Sequence, residues 1–162
     1  MDLPIPEKPL PPSHPAGVFL YLASVRERSR LAFMLIRLFL AFMALMFLAF
    51  GAWSLADPLG MTSQLDVTVS GPNAAFEMRG IFGGVSLGMA AMTAAGALRP
   101  AAFQRPALFV LLVYMGGYTL ARMTSLIIGD SPTFSGWFFA GFEVLSFIVT
   151  IFALRASERR TP

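Results

Sequence analysis

Apolar residues gather in four long runs along this chain: Leu31 to Trp53, Ala74 to Leu98, Ala107 to Ile128 and Phe134 to Leu154. Each reaches the ~20 residues that an α-helix needs to cross ~30 Å of hydrocarbon. In that medium a backbone must satisfy its own hydrogen bonds, so the runs predict helices rather than an open sheet. The expected fold is all-α, a polytopic membrane protein built as a four-transmembrane-helix bundle over residues 31–154. Residues 1–30 would precede it as a tail and interfacial segment, and residues 155–162 would follow as a short basic tail.

Polar positions inside the runs are few and ordered. In the third run Tyr118, Thr119, Arg122 and Ser125 fall on one helical face, with Met115 below. In the fourth, Gly136, Glu143, Ser146 and Thr150 share a face with Phe139 and Phe147. Each stripe holds one ionisable group, and a charge at mid-bilayer costs on the order of 3 kcal/mol, so such groups turn inward and find partners. At ~1.5 Å per residue, Arg122 lies ~9 Å in from Ile128, and Glu143 ~13 Å in from Phe134 on the same side. The two are expected to pair. Glu77 and Arg79 enter the second run from that side, nearer the surface, and are expected to complete a network. Glu77, Arg79, Arg122, Ser125 and Glu143 therefore form the candidate ligand site.

Gly80, Gly84 and Gly88 repeat every four residues in the second run, and Ala91 and Ala95 continue the stripe. Steps of 100° per residue place Glu77 on it as well. Small-residue stripes let helix backbones touch, so these glycines are expected to form a packing face. In the first run Ala41, Ala44, Leu48 and Gly51 share a face suited to close approach. Arg37, about two turns inside, can extend its stem to the headgroups. Between these runs, Asp57-Pro58-Leu59-Gly60 and Ser70-Gly71-Pro72 signal turns and helix starts. Alternation from Leu65 to Val69 allows a short extended piece.

Ahead of the first run, Met1 to Pro15 holds Pro4, Pro6, Pro9, Pro11, Pro12 and Pro15. This segment should run extended, near polyproline II, as a disordered tail or as a strap docked on a partner. In Gly17 to Ser29, Val18, Phe19, Leu22 and Val25 can share a face, with Arg26, Arg28 and Arg30 beyond. The segment reads as a short interfacial helix on the cytoplasmic leaflet or as a lead-in to the first span.

Charge sets the topology. The chain carries 12 Lys+Arg against 9 Asp+Glu, and the basic residues sit at the ends of runs. Arg26, Arg28 and Arg30 precede the first, Arg99 and Arg105 lie between the second and third, and Arg155, Arg159 and Arg160 follow the fourth. Asp57, Asp66 and Asp130 occupy the other connections, which hold no Lys or Arg. The positive-inside rule puts both termini in the cytoplasm. No basic face suited to nucleic acid is present. With no cysteine, disulfides, thiolate metal sites, iron–sulfur clusters and cysteine nucleophiles are excluded. The single histidine, His14, lies in the proline-rich tail, which removes a bis-histidine haem, a histidine metal site and a Ser–His pair from the bundle. The ten methionines lack such neighbours and read as core filler. No catalytic residue, metal or cofactor is expected.

The segment Glu77-Met78-Arg79-Gly80-Ile81-Phe82-Gly83-Gly84, then Arg122-Met123-Thr124-Ser125, Asp130-Ser131-Pro132 and Glu143, form an ordered series. In this series the chain resembles the domain-of-unknown-function 4345 family, small bacterial four-helix membrane proteins, over roughly Arg37 to Leu154. The resemblance implies the same bundle in a bacterial cytoplasmic membrane, and it carries no activity. The proline-rich tail and Gly17 to Ser29 lie outside it. Three functions remain open. The first is a non-catalytic accessory or scaffold subunit, packed on other membrane-protein subunits through the tail and the small-residue faces. The second is a binding site for a lipid, a quinone-like molecule or an anion at the Arg/Glu cluster. The third is an enzyme or proton carrier using Glu143. The first is preferred, because an internal ion pair accounts for the charges without a ligand.

Overall fold

The computed structural model describes residues 14–158. The proline-rich tail up to Ser13, together with Arg159 and Arg160, lies outside the described residues. Helix α1 spans Pro15–Ala56 and α2 Pro58–Gln64. Helix α3, Ala74–Met78, runs through a π-helical turn, Arg79–Gly84, into α4, Val85–Leu98. Helices α5, Pro100–Ile128, and α6, Phe134–Glu158, complete the chain. Four helical spans are long and apolar enough to cross a membrane. They run up and down as an all-α bundle in which α1 packs on α4, α4 on α5, and α5 on α6.

Two boundaries differ from the sequence reading. Gly17 to Ser29 is helical but not set off from the first span, because no proline or glycine interrupts the chain between Val18 and Phe50. The 42 residues of α1 reach ~63 Å, about twice a bilayer core. The connection before the third span shrinks to Arg99, and Arg105 belongs to α5. Pro100 opens that helix at its first position, where a missing amide costs nothing. The alternating stretch Leu65 to Val69 forms no strand. It begins with a turn in which Asp66 takes φ +57°.

The ends of the helices are closed by side chains that cross between them. Arg37 Nε donates to the Ala97 carbonyl at 2.9 Å, in the last turn of α4. Arg79 Nε donates to the Leu55 carbonyl at 3.0 Å, in the last turn of α1. Terminal carbonyls lack helical partners and carry partial negative charge, so a cation there satisfies both needs. Arg37 thus does more than snorkel. Helix α5 ends at Gly129, φ +99°, where Asp130 N–H returns to the Ser125 carbonyl and Gly129 N–H to Leu126. That is a Schellman closure, which needs a residue at ease in the left-handed region.

Buried Leu40, Met43, Leu108, Leu111 and Met115 fill the centre. The close backbone approaches fall at glycines other than the expected ones. A Cβ at Gly96 would sit 2.6 Å from Ala107 Cβ, and one at Gly83 would sit 2.6 Å from Leu55 Cδ2. One at Gly51 would lie 3.1 Å from the Gly83 carbonyl, and one at Gly116 would meet the Phe147 ring at 3.0 Å. Gly80, Gly84 and Gly88 are exposed, and nothing lies within 4 Å of a Cβ at Gly80 or Gly88. The second span has small residues on two faces. The face bearing Gly83, Ser86, Ala90, Thr93, Gly96 and Ala97 is the one that turns inward.

On the side opposite the termini, Asp66 holds the first connection to the start of α6. Its Oδ2 accepts from Thr133 Oγ1 at 2.7 Å and from Ser135 Oγ at 2.9 Å.

Two outcomes follow from this packing. Gly96→Ala forces α4 from α5 at a contact with no flexible side chain to yield, and is expected to cost about 1–3 kcal/mol. Gly88→Ala should leave the thermal unfolding temperature of the detergent-solubilised protein unchanged. Separately, the two hydroxyl donors hold the Asp66 carboxyl below its usual range. Stability from a depressed carboxyl is present above its unfolded pKa and is lost as pH falls through the folded one. Amide protection at the start of α6, measured against the intrinsic exchange rate at each pH, should therefore fall as pH drops below ~4. Asp66→Asn, which keeps a residue tolerant of this φ, should remove that pH response.

Candidate functional site

The charges inside the spans meet between α5 and α6. Arg122 Nε lies 2.9 Å from Glu143 Oε2, and Nη2 lies 3.1 Å from Oε1. The contact is therefore bidentate. Two parallel N–H donors match the two carboxylate oxygens, the strongest arrangement such a pair can adopt. The expected pairing is present because both residues sit on the inward polar stripe of their helix at similar depth. The partners are unequally placed. Glu143 is 8% exposed, whereas the Arg122 side chain is 41% exposed.

Aromatic rings extend the pair along α5. The Arg122 guanidinium lies 6.0 Å from the centre of the Tyr118 ring. Tyr118 and Tyr114 meet edge to face at 5.1 Å, and their hydroxyls stand 3.5 Å apart. Tyr114 in turn packs edge-on against Phe47 of α1 at 5.5 Å. On α6 the polar stripe continues inward from Glu143. Ser146 Oγ approaches Met43 Sδ at 3.8 Å, and Thr150 Oγ1 donates to the Ser146 carbonyl at 2.6 Å. Thr119 Oγ1, one turn from Arg122, is buried without a hydrogen-bond partner among the described residues.

The wider network expected from sequence does not form. Arg79 is engaged at the end of α1. Glu77 is exposed at the start of the second span, with no ion pair to Arg122 or Arg79. Ser125 uses its carbonyl to close α5, and its hydroxyl makes no bond to the pair. The π-helical turn is one reason: Val85 N–H reaches back to the Gly80 carbonyl, five residues away. Such a turn breaks the 100° step on which the alignment of Glu77 with later residues rested. The reading from sequence also missed Tyr114. An i, i+4 spacing to Tyr118 was the signal that could have found it.

These features define a bundle of four membrane-length helices with one internally neutral Arg–Glu pair, its carboxylate buried and its guanidinium half-exposed, and no second charged residue joined to it among the described residues. The chain belongs to the family described as Domain of unknown function (DUF4345), whose model matches residues 35–154. No curated protein and no solved structure matches the chain.

The unequal burial gives the pair a testable asymmetry. Arg122→Leu strands a buried carboxylate and is expected to destabilise the protein by on the order of 3 kcal/mol. Glu143→Leu strands a half-exposed guanidinium that can turn outward, so it should cost distinctly less. The double variant should recover most of the loss. Thermal unfolding of all four proteins checks this, and equal effects of the two single changes would contradict the geometry.

Proposed function

We propose that this protein is a non-catalytic accessory subunit of the bacterial cytoplasmic membrane, packing against a larger membrane assembly through the outward face of its second span. The observation that carries this reading is the stripe Gly80, Gly84, Gly88 and Ala91, exposed along its whole length. Even a Cβ at Gly84 would meet nothing nearer than the Arg79 carbonyl at 3.9 Å. A run of small residues gives lipid chains little to pack against, yet it lets a partner helix come close enough for extensive dispersion contact. The Arg122–Glu143 pair supports the same reading, since each charge already has its partner. Glu77 adds a carboxylate that a lysine or arginine of a neighbouring subunit would complete. Arg26, Arg30, Arg99, Arg105 and Arg155 gather at the end that carries the termini, which the positive-inside rule assigns to the cytoplasm.

A second reading has one specific observation in its favour. The unpaired Thr119 hydroxyl and the N–H groups of Arg122 not spent on Glu143 could together hold a lipid, a quinone-like molecule or an anion against α5.

The first reading is tested by extracting the full-length protein in mild detergent. It is expected to co-purify with a larger complex, and Gly84→Leu is expected to release it. The thermal unfolding temperature should stay unchanged, because the new side chain points away from the bundle. Retention of the complex by Gly84→Leu, or a lone monomer from the unaltered protein, overturns the reading.

A further inference from the structure

An open cleft of about 490 Å³ lies between α1, the start of α5 and the end of α6. Phe33, Pro100, Gln104, Arg105, Pro106 and Ser157 line it. It sits far from the Arg122–Glu143 pair, at the end of the bundle that carries the termini.

Three sets of donors converge there. Arg99 gives α5 no side-chain cap; its carbonyl takes the Ala102 and Phe103 amides, which leaves the Ala101 N–H and the partial positive charge of a 29-residue helix at the cleft. Gln104, in the first turns of that helix, is 7% exposed. Its Nε2 is buried without any hydrogen-bond partner among the described residues. A buried amide donor left unpaired is unfavourable, and rotation about the soft terminal torsion of Gln104 presents it to an occupant. Arg105 supplies the third set. Its contact with Glu158 is long, 3.4 Å, between two half-exposed side chains, which leaves most of its N–H groups free. The Ser157 hydroxyl is already engaged by the Leu154 carbonyl at 2.7 Å.

The unpaired groups at the cleft are donors, and Arg105 with the helix end sets two positive sources against the one carboxylate, Glu158, that touches Arg105. The occupant must be an anion rich in acceptors. Donors arriving from a helix end, an amide and a guanidinium suit a tetrahedral oxyanion better than a planar carboxylate. We propose that this cleft binds a phosphate group, held by the amino end of α5, Gln104 and Arg105, with Phe33, Pro100 and Pro106 as an apolar wall for the rest of the molecule. An acidic lipid headgroup and a soluble phosphate ester share this chemistry.

The test uses the full-length protein, delipidated in detergent, and follows thermal unfolding. The probes are phosphatidylglycerol, dioleoylglycerol (which lacks the phosphate) and inorganic phosphate at constant ionic strength. Phosphatidylglycerol is expected to raise the unfolding temperature and dioleoylglycerol is not. A rise with inorganic phosphate as well assigns the site to soluble esters, and a rise with the lipid alone assigns it to headgroups. Gln104→Leu should stabilise the unliganded protein, because it removes an unpaired donor, and should weaken binding roughly tenfold, the loss of one hydrogen bond to a charged group. Arg105→Gln should weaken binding as well, while Arg30→Gln, an exposed cation on the same side, should not. The proposal is overturned if no phosphate probe shifts the transition, if dioleoylglycerol acts as well as phosphatidylglycerol, or if Arg30→Gln matches Arg105→Gln. It is also overturned if Gln104→Leu destabilises the protein without altering binding.

Discussion

Hydrocarbon offers no partner to a charge or a bare peptide group, and the helices of this chain are arranged around that constraint. Within the spans three arginines meet it in different ways. Arg122 takes up the carboxylate of Glu143 through two parallel hydrogen bonds. Arg37 and Arg79 instead cross to the last carbonyls of a neighbouring antiparallel helix, where the backbone itself supplies the negative end. Buried hydroxyls follow the same rule locally. Thr93 donates to the Met89 carbonyl, Thr150 to Ser146 and Ser54 to Phe50, each four residues back along its own helix. Polar side chains can therefore occupy the interior without tying every helix to every other.

Close approach between the helices has a separate origin. Association in a membrane draws on dispersion contact rather than on release of water, so backbones must come near one another. Gly96 against Ala107 does this for α4 and α5, and Gly51 against Gly83 does it where α1 meets the π-helical turn. The same span then carries a second set of small residues, Gly80, Gly84 and Gly88, that are exposed among the described residues. An inward face committed to folding and an outward face left open are the physical basis for reading the protein as a subunit. Substitutions on the two faces separate stability from association.

The two ends of the bundle are built differently. Away from the termini, Asp66 ties the first connection to Thr133 and Ser135, and α2 tucks Met61 and Thr62 into the interior. At the other end α4 and α5 are joined through Arg99 alone. The two prolines at the start of α5 shape a cleft in which the Gln104 amide has no acceptor among the described residues and Arg105 only a long contact with Glu158. One end is closed by its own side chains, and the other presents donors outward at the level where charged headgroups lie.

The sequence by itself determined the four spans, the all-α class and the Arg122–Glu143 pair. Span length follows from bilayer thickness, and two charges at similar depth on the inward stripes of successive helices have little choice of partner. It also identified the family, through an ordered set of short motifs. The tertiary structure alone decided which glycines are contacts, because α4 has small residues on two faces and composition cannot say which turns inward. It alone decided that Glu77 and Arg79 stand apart from the pair, since one π-helical turn shifts every later residue relative to those before it. The role of Gln104 was hidden for a related reason. Local patterning reports a helix and its polar side. The rotation of each helix against its neighbours, which settles whether a donor meets an acceptor, is fixed only when all four pack together.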